Sequence, residues 1–194
     1  MCKIIVMANQ KGGVAKTSST RNLAYSLAEL GKKVLAVDFD PQTNLTISFG
    51  VAPAALQETA ASLMMKLVMD EALPEKASYI LNIGKVDLLP SKKTLTVAEV
   101  NLLIERKDDC LAKLLAPLRA DYDYILVDTG PSLGSLTINA FTAADEIIIP
   151  VDPELFALVG LKELTETISK IKQNLNPKVE IIGILFTKCS KRTT

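Results

Sequence analysis

Two lysines, a pair of glycines and a threonine follow the first apolar run of this chain. The run Ile4-Ile5-Val6-Met7-Ala8 is typical of a buried strand, and helical periodicity begins after Lys11-Gly12-Gly13-Val14-Ala15-Lys16-Thr17-Ser18. Glycines let backbone N–H groups approach an anion, and a helix N-terminus adds partial positive charge. A lysine can reach the terminal phosphates, and a threonine hydroxyl can join the shell of a magnesium ion. The segment from Lys11 to Ser18 therefore predicts a phosphate loop that binds a nucleotide.

The loop differs from the usual phosphate-loop pattern at two positions. That pattern has glycine where this chain has Gln10 and Ala15. If residue 15 needs a positive φ, alanine costs about 1 kcal/mol or more. If its φ is negative, the methyl group only crowds the loop. The replacement of glycine by Ala15 therefore bears more on nucleotide hydrolysis than on nucleotide binding.

Three aspartates follow predicted strands: Asp38, Asp40 and Asp128. A single aspartate there is commonly a turn or cap residue, but three beside a two-lysine loop favour a shared site beyond the strand ends. Because Mg²⁺ prefers hard oxygen ligands, we predict Thr17 and Asp128 at a metal site. Asp38 is predicted to hold either the water shell of the metal or the adjoining loop. The chain has no histidine, so Asp40 is the candidate that orients an attacking water.

The composition excludes several classes of protein. Lysine plus arginine and aspartate plus glutamate number 22 each, which excludes a globally basic nucleic-acid binder but not a local basic patch. Cys2, Cys110 and Cys189 lie far apart, which argues against a zinc site or a disulfide framework. No apolar run approaches the ~20 residues that span a bilayer, and no signal peptide precedes the first strand. We therefore expect a soluble, cytoplasmic protein.

The order of elements predicts an α/β fold with a doubly wound, mostly parallel sheet and helices on both faces. The predicted strands are 3–8, 33–38, 78–82, 86–90, 124–128, 146–151 and 179–187. The predicted helices are 16–30, a short one before Gly50, 60–70, one long helix over 97–118, and 155–174. The charged run 105–109 is interpreted as the solvated face of that long helix. We expect a single domain over residues 1–194.

Several motifs resemble those of the ParA/MinD family of ATPases. The loop is similar to the family's deviant Walker A pattern K-G-G-x-G-K-[ST], and residues 37–42 and 122–133 are similar to its two switch segments. Residues 139–145 and 150–154 also follow the family pattern, so the resemblance covers nearly the whole chain. Ala15 replaces the usual glycine, and Gly130 replaces the first of two prolines in the second switch.

The resemblance implies an ATP- and Mg²⁺-dependent ATPase that forms a homodimer when ATP binds. By this resemblance Lys16 serves its own nucleotide, and Lys11 reaches the phosphates of the partner subunit. Without the family context, Lys11 would be interpreted as a solvated surface lysine. The implied partners are non-specific DNA and a centromere-binding, ParB-like activator, with no membrane partner. The implied setting is plasmid or chromosome partitioning in the cytoplasm, in association with the nucleoid.

The resemblance also concerns the C-terminal residues. It places Thr187 and Lys188 near the adenine base, and it makes Lys188, Lys191 and Arg192 a basic cluster that contacts DNA. A frayed, solvated C-terminus explains this cluster almost as well. Family members typically continue with another helix, a final strand and a C-terminal helix, so we expect this chain to lack them. The alternative is a MinD-like or regulatory nucleotide-binding protein with little or no turnover.

Overall fold

The computed structural model describes residues 1–153 and 157–189, with side chains for all of these except 157–159. The strands are β1 (Lys3–Met7), β2 (Val34–Phe39), β3 (Leu81–Ile83), β4 (Val86–Leu89), β5 (Tyr124–Thr129), β6 (Glu146–Val151) and β7 (Glu180–Phe186). The α-helices are α1 (Lys16–Glu29), α2 (Asn44–Ser48), α3 (Ala60–Val68), α4 (Leu95–Glu105), α5 (Cys110–Leu115), α6 (Ser135–Ala143) and α7 (Ala157–Asn174). Within this described part, no helix is both long and apolar enough to cross a bilayer.

The strands form one sheet in the order β3-β4-β2-β5-β1-β6-β7. All neighbouring pairs are parallel except β3 and β4, which pair antiparallel at one edge. The chain therefore winds outward from β1 in both directions, which confirms the predicted doubly wound, mostly parallel sheet. The register pairs Asp38 with Asp128 and Phe39 with Thr129, so the ends of β2 and β5 lie side by side.

Helices cover both faces of the sheet, as expected for parallel strands that are buried on both sides. Alternate residues of β2 enter two different apolar clusters: Leu35 and Val37 pack with α3 to α6, whereas Ala36 packs with Ala24 and Ala28 of α1. Every residue of β2 is buried. The resulting core holds the carboxyl ends of the central strands rigidly at one edge of the sheet.

The single long helix predicted over 97–118 is wrong. The helix α4 ends at Glu105, where Arg106 adopts the left-handed conformation with φ 51°, and α5 begins only at Cys110. The charged run is therefore a loop between helices and not the face of one. The ammonium of Lys107 donates to the carbonyl oxygen of Val68 at 2.9 Å and to Asp70 at 2.7 Å, which anchors this loop to the end of α3.

The two edges of the sheet compare differently with expectation. The strand predicted at 78–82 begins at Leu81, because residues 76–78 form a 3₁₀ turn. The last described strand, β7, has no neighbour on its outer side among the described residues, and Ile182, Leu185 and Phe186 are exposed there. All other predicted elements that fall on described residues end within two residues of the observed boundaries.

Candidate nucleotide-binding site

A cavity of about 560 Å³ lies beyond the carboxyl ends of the central strands, at the N-terminus of α1. Its walls combine the predicted phosphate loop with both predicted switch segments. They consist of Gly12, Gly13, Ala15, Lys16, Thr17, Ser18, Asp40, Gln42, Asn44, Pro131 and Lys188. The volume lies within the range of ordinary small-molecule sites. The fold therefore gathers residues from four separate segments around one space of suitable size for a ligand.

The phosphate loop enters α1 through a left-handed residue. Ala15 is the N-cap of α1 with φ 64° and ψ 28°, so the backbone adopts the positive-φ alternative, in which alanine is strained. Gly13 also has a positive φ, and a Cβ atom placed on Gly12 or Gly13 would meet no atom within 4 Å. The loop is therefore open toward the cavity at both glycines, and its one conformational conflict lies at Ala15.

Replacing Ala15 with glycine is expected to stabilise the ligand-free protein. Relief of the left-handed strain contributes about 1 kcal/mol, which corresponds to a rise in Tm of about 2–4 °C for a domain of this size. Thermal unfolding without nucleotide measures it. The matched control is Ala112→Gly in α5, where glycine in a helix is expected to lower Tm instead. A fall in Tm for both variants would contradict the strain assigned to Ala15.

Lys16 is buried with its ammonium inside the loop. Its Nζ donates to the carbonyl oxygens of Asn9 at 2.9 Å and Lys11 at 3.1 Å. Burial lowers the pKa of Lys16, while the negative charges of Asp128 and Asp40 oppose that shift. A buried ammonium whose hydrogen-bond partners are neutral carbonyls gains strongly from an anionic oxygen. This arrangement suits a phosphate group in the cavity.

Asn9, which the sequence did not single out, fastens the loop to the sheet. Its side chain accepts the N–H of Lys11 at 2.9 Å and donates to the carbonyl oxygen of Pro150 at 2.6 Å. On the other side of the loop, the hydroxyl of Thr187 lies 3.2 Å from the carbonyl oxygen of Val14. Thr187 therefore lies beside the phosphate loop, where its hydroxyl contacts the loop backbone.

Asp128 is buried at the end of β5 with one carboxylate oxygen unsatisfied. Its Oδ1 accepts from the hydroxyl of Thr20 at 3.4 Å, and Oδ2 has no hydrogen-bond partner among the described residues. Burial raises the pKa of Asp128 to about 7; the hydroxyl of Thr17 lowers it, and the charges of Asp38 and Asp40 raise it further. An orphaned buried oxygen beside Thr17 fits the water shell of a magnesium ion.

The described residues contain no group of three histidine, cysteine, aspartate or glutamate side chains that could hold a metal by themselves. A magnesium ion at this site would therefore depend on Thr17, on Asp128 acting directly or through water, and on phosphate oxygens of the nucleotide. That donor set is typical of Mg²⁺, which keeps several waters and is held by one or two carboxylates plus substrate phosphates.

Asp38 is turned toward the first switch segment. Its Oδ1 accepts the N–H of Asp40 at 3.3 Å, and its Oδ2 accepts both the N–H and the hydroxyl of Thr46. Burial raises the pKa of Asp38 to about 6, and the hydrogen bonds from Thr46 and Asp40 lower it. Of the two roles predicted for Asp38, these contacts favour the one in which it holds the loop. Its predicted place in the water shell of the metal remains a proposal.

Asp40 lines the cavity and is 7% exposed. Its Oδ1 accepts the N–H of Gln42 at 2.9 Å. The carboxylate therefore lies in the cavity wall with a fixed direction, within the space where a nucleotide and its attacking water would be held.

The basic residues predicted near the C-terminus are only partly described. Lys188 lines the cavity, and its Nζ lies 3.0 Å from Asp152 Oδ2. Lys191 and Arg192 lie outside the described residues.

The sequence missed a second basic cluster at the opposite edge of the sheet, because its members come from separate segments. Lys32, Lys33, Lys76 and Lys85 line a cavity of about 420 Å³ there.

Known proteins resemble this chain over nearly its whole length. A family profile described as an AAA domain matches residues 2–181. Sporulation initiation inhibitor protein Soj of Bacillus subtilis is 38% identical over 194 residues, covering 100% of this chain and 75% of Soj. The chain belongs to the ParA-type family of P-loop NTPases. Chromosome partitioning protein ParA of Myxococcus xanthus is 39% identical over 191 residues, covering 98% of this ParA-type chain and 66% of that protein.

Solved structures agree with the ParA-type assignment. Cobyrinic acid a,c-diamide synthase from Mycobacterium smegmatis, with bound ADP and magnesium, superposes with a TM-score of 0.92 at 36% identity, covering 100% of this chain and 78% of that one. A plasmid partition protein from Borrelia burgdorferi gives a TM-score of 0.84 at 32% identity, with 100% and 83% covered. This chain spans 59% of the length of an uncharacterized Mycobacterium tuberculosis relative that is 42% identical.

Stability of the ligand-free ParA-type chain is expected to fall as the pH rises from about 4.5 to 7.5. In the folded protein the pKa of Asp128 is about 7 and that of Asp38 is about 6. In the unfolded chain, where neither carboxyl is buried, both pKa values are near 3.8. Between these values the native state binds more protons than the unfolded state, so raising the pH costs folding free energy. Each carboxyl contributes about 1.4 kcal/mol per pH unit between its unfolded and folded pKa values, so the expected fall is on the order of 5 kcal/mol, measured by urea unfolding.

Two variants test the source of this pH dependence. Asp128→Asn is expected to flatten the slope, because it removes the group with the higher pKa. Asp70→Asn is the control: Lys107 lowers the pKa of the exposed Asp70, so its contribution is lost only below the pH window measured. An unchanged slope in Asp128→Asn would show that another group is responsible.

Proposed function

We propose that this ParA-type chain binds ATP with Mg²⁺, dimerises in the ATP-bound state and hydrolyses ATP slowly. The observation that carries the proposal is one cavity lined by the buried Lys16, by Thr17 and by Asp40. Asp128, which does not line the cavity itself, is buried beside Thr17 with one oxygen unsatisfied. ATP and Mg²⁺ as cofactors are supported by the relative from Mycobacterium smegmatis, which is 36% identical over this whole chain and contains ADP and magnesium.

Each residue has a stated role in this proposal. The ammonium of Lys16 exchanges its carbonyl partners for phosphate oxygens, and Thr17 and Asp128 hold Mg²⁺. When bound, the magnesium ion neutralises charge that develops on the transferred phosphoryl group. Asp40 accepts a hydrogen bond from the attacking water and orients it. Lys11, which is exposed at the rim of the loop, reaches the nucleotide of the partner subunit in the ATP-bound dimer.

The biological role that we propose is partitioning of a plasmid or chromosome, in the cytoplasm and on the nucleoid. The names of the ParA and Soj relatives and of the Borrelia burgdorferi plasmid partition protein support it. Non-specific DNA and a ParB-like activator are the proposed partners. Fold alone does not separate partitioning from other activities, since the cobyrinic acid a,c-diamide synthase shares it.

Two groups of basic residues are candidates for contact with DNA. One is the cluster predicted from the sequence, Lys188, Lys191 and Arg192, of which only Lys188 is among the described residues. The other is the group of four lysines at the opposite edge of the sheet. In that group, Lys76 pairs with Asp121 and Lys85 pairs with Glu29, each at 2.8 Å. Binding through phosphate contacts must weaken steeply as salt increases. Salt-independent binding would contradict the DNA part of the proposal.

Oligomeric mass tests the nucleotide switch directly. We expect light scattering to give the 21.0 kDa monomer in buffer and in ADP–Mg²⁺, and twice that mass only in ATP–Mg²⁺. A non-hydrolysable ATP analogue with Mg²⁺ should also give the dimer, because it mimics the ATP-bound state. A monomer in all of these conditions would contradict ATP-dependent dimerisation by this chain.

One observation favours the alternative of a MinD-like or regulatory nucleotide-binding protein with little turnover. The left-handed Ala15 strains the loop in which hydrolysis would take place. If strain at Ala15 prevents turnover, phosphate release should be absent from the wild type and appear in Ala15→Gly. Equal release by both proteins would support the ATPase.

A further inference from the structure

The second switch segment passes close to the carboxylate of the first at Gly130. A Cβ atom built on Gly130 would lie 3.2 Å from Asp40 Oδ1, 3.4 Å from its Cγ and 3.7 Å from its Oδ2. The first of these distances is tighter than ordinary van der Waals contact. A side chain at position 130 would therefore have to displace Asp40 by a few tenths of an ångström.

The conformation of Gly130 does not itself require glycine. The described glycines with positive φ are Gly13, Gly31, Gly50 and Gly84. Because Gly130 does not have a positive φ, its backbone would accept a residue with a side chain. What a side chain at this position would meet is the Asp40 carboxylate.

The backbone of Gly130 is held in place by the sheet. Phe39 and Thr129 are register partners at the ends of β2 and β5, so Asp40 and Gly130 are the next residues beyond the same pair. The hydroxyl of Thr129 donates to the carbonyl oxygen of Met7 at 2.8 Å, which ties the end of β5 to β1. On its other side, Asp40 Oδ1 accepts the N–H of Gln42. The carboxylate therefore lies between a fixed backbone and its own loop.

We propose that Gly130 is a positioning residue that sets the place of the Asp40 carboxylate. The proposal rests on the role of Asp40 in the proposed function. The two switch segments lie close together here, so a side chain at position 130 would press on the group that orients the attacking water.

A thermal double-mutant cycle tests the contact without relying on hydrolysis. Gly130→Ala is expected to lower Tm by about 2–4 °C in the wild type, because inserted atoms force a shift of Asp40. In an Asp40→Ala background, which removes the carboxylate, Gly130→Ala should leave Tm within about 1 °C. Gly183→Ala in β7 is the matched control, since a Cβ atom there meets nothing within 4 Å. It reports the effect of alanine on the unfolded state.

Phosphate release tests the positioning. We expect kcat to fall about three- to tenfold in Gly130→Ala with an unchanged Kd for ATP, since small displacements of a reacting group affect turnover more than binding. Gly183→Ala should leave both constants unchanged. Equal Tm losses for Gly130→Ala in both backgrounds, or none in either, would overturn the contact. Coupled Tm values with unchanged kcat would overturn the positioning role. Absence of hydrolysis by the wild type would contradict the proposed ATPase instead, while the thermal cycle still decides the contact.

Discussion

Lys16→Ala is expected to weaken ATP binding about 100-fold. Hydrogen bonds to charged groups contribute about 1.5–3 kcal/mol each, and Lys16 is the buried cation of the loop. In the ligand-free protein its ammonium has only the carbonyl oxygens of Asn9 and Lys11 as hydrogen-bond acceptors among the described residues, so a phosphate gives it the anionic partner that it lacks. Burial lowers the pKa of Lys16 in the ligand-free protein. The negative charge of a bound phosphate should raise that pKa again.

Equilibrium titration with a fluorescent ATP analogue measures this loss. Lys32→Ala is the matched control, because Lys32 lies at the opposite edge of the sheet and should not affect ATP binding. Lys16→Gln keeps a donor for the two carbonyl oxygens and serves as the second variant if Lys16→Ala loosens the loop. Unchanged affinity in a folded Lys16→Gln protein would show that another cation, such as Lys11, holds the phosphates.

The fold followed from the sequence because the central strands are unambiguous. Residues 34–39 are apolar except for Asp38, and a strand buried on both faces needs such a run. The prediction of one long helix was wrong because apolar residues resume after the break between α4 and α5. Arg106 takes the left-handed conformation that ends α4, and no glycine marks that position in the sequence. Tertiary contacts, such as those of Lys107 with α3, hold the break in place.

The sequence left the conformation of the loop open. It offered two alternatives for the φ of Ala15, and the observed φ of 64° decides between them. The two roles predicted for Asp38 stay predictions. The side chain of Asp38 contacts Thr46, eight residues later, through a turn whose shape no local pattern specifies. Asn9 was missed because its importance lies in bridging to Pro150, which is 141 residues away.

Asp40→Ala is expected to lower ATP turnover about 100-fold or more while ATP binding persists. Groups that accept a proton or orient water typically contribute 10²- to 10⁴-fold to rate, and Asp40 is the carboxylate that lines the cavity. Asp128, by contrast, is fully buried, and its unsatisfied oxygen is the one proposed to hold the metal. The two aspartates should therefore separate in their effects: Asp128→Asn should weaken Mg²⁺-dependent binding, and Asp40→Ala should spare it.

Asp40→Asn sharpens the test, because it keeps the oxygen that accepts the N–H of Gln42 and removes only the negative charge. If orientation of water depends on that charge, single-turnover phosphate release should be lost in both variants. Light scattering should then find the ATP-bound dimer accumulating, since the state that hydrolysis normally ends would persist. Turnover equal to wild type in Asp40→Asn with Kd unchanged would reject the role of Asp40.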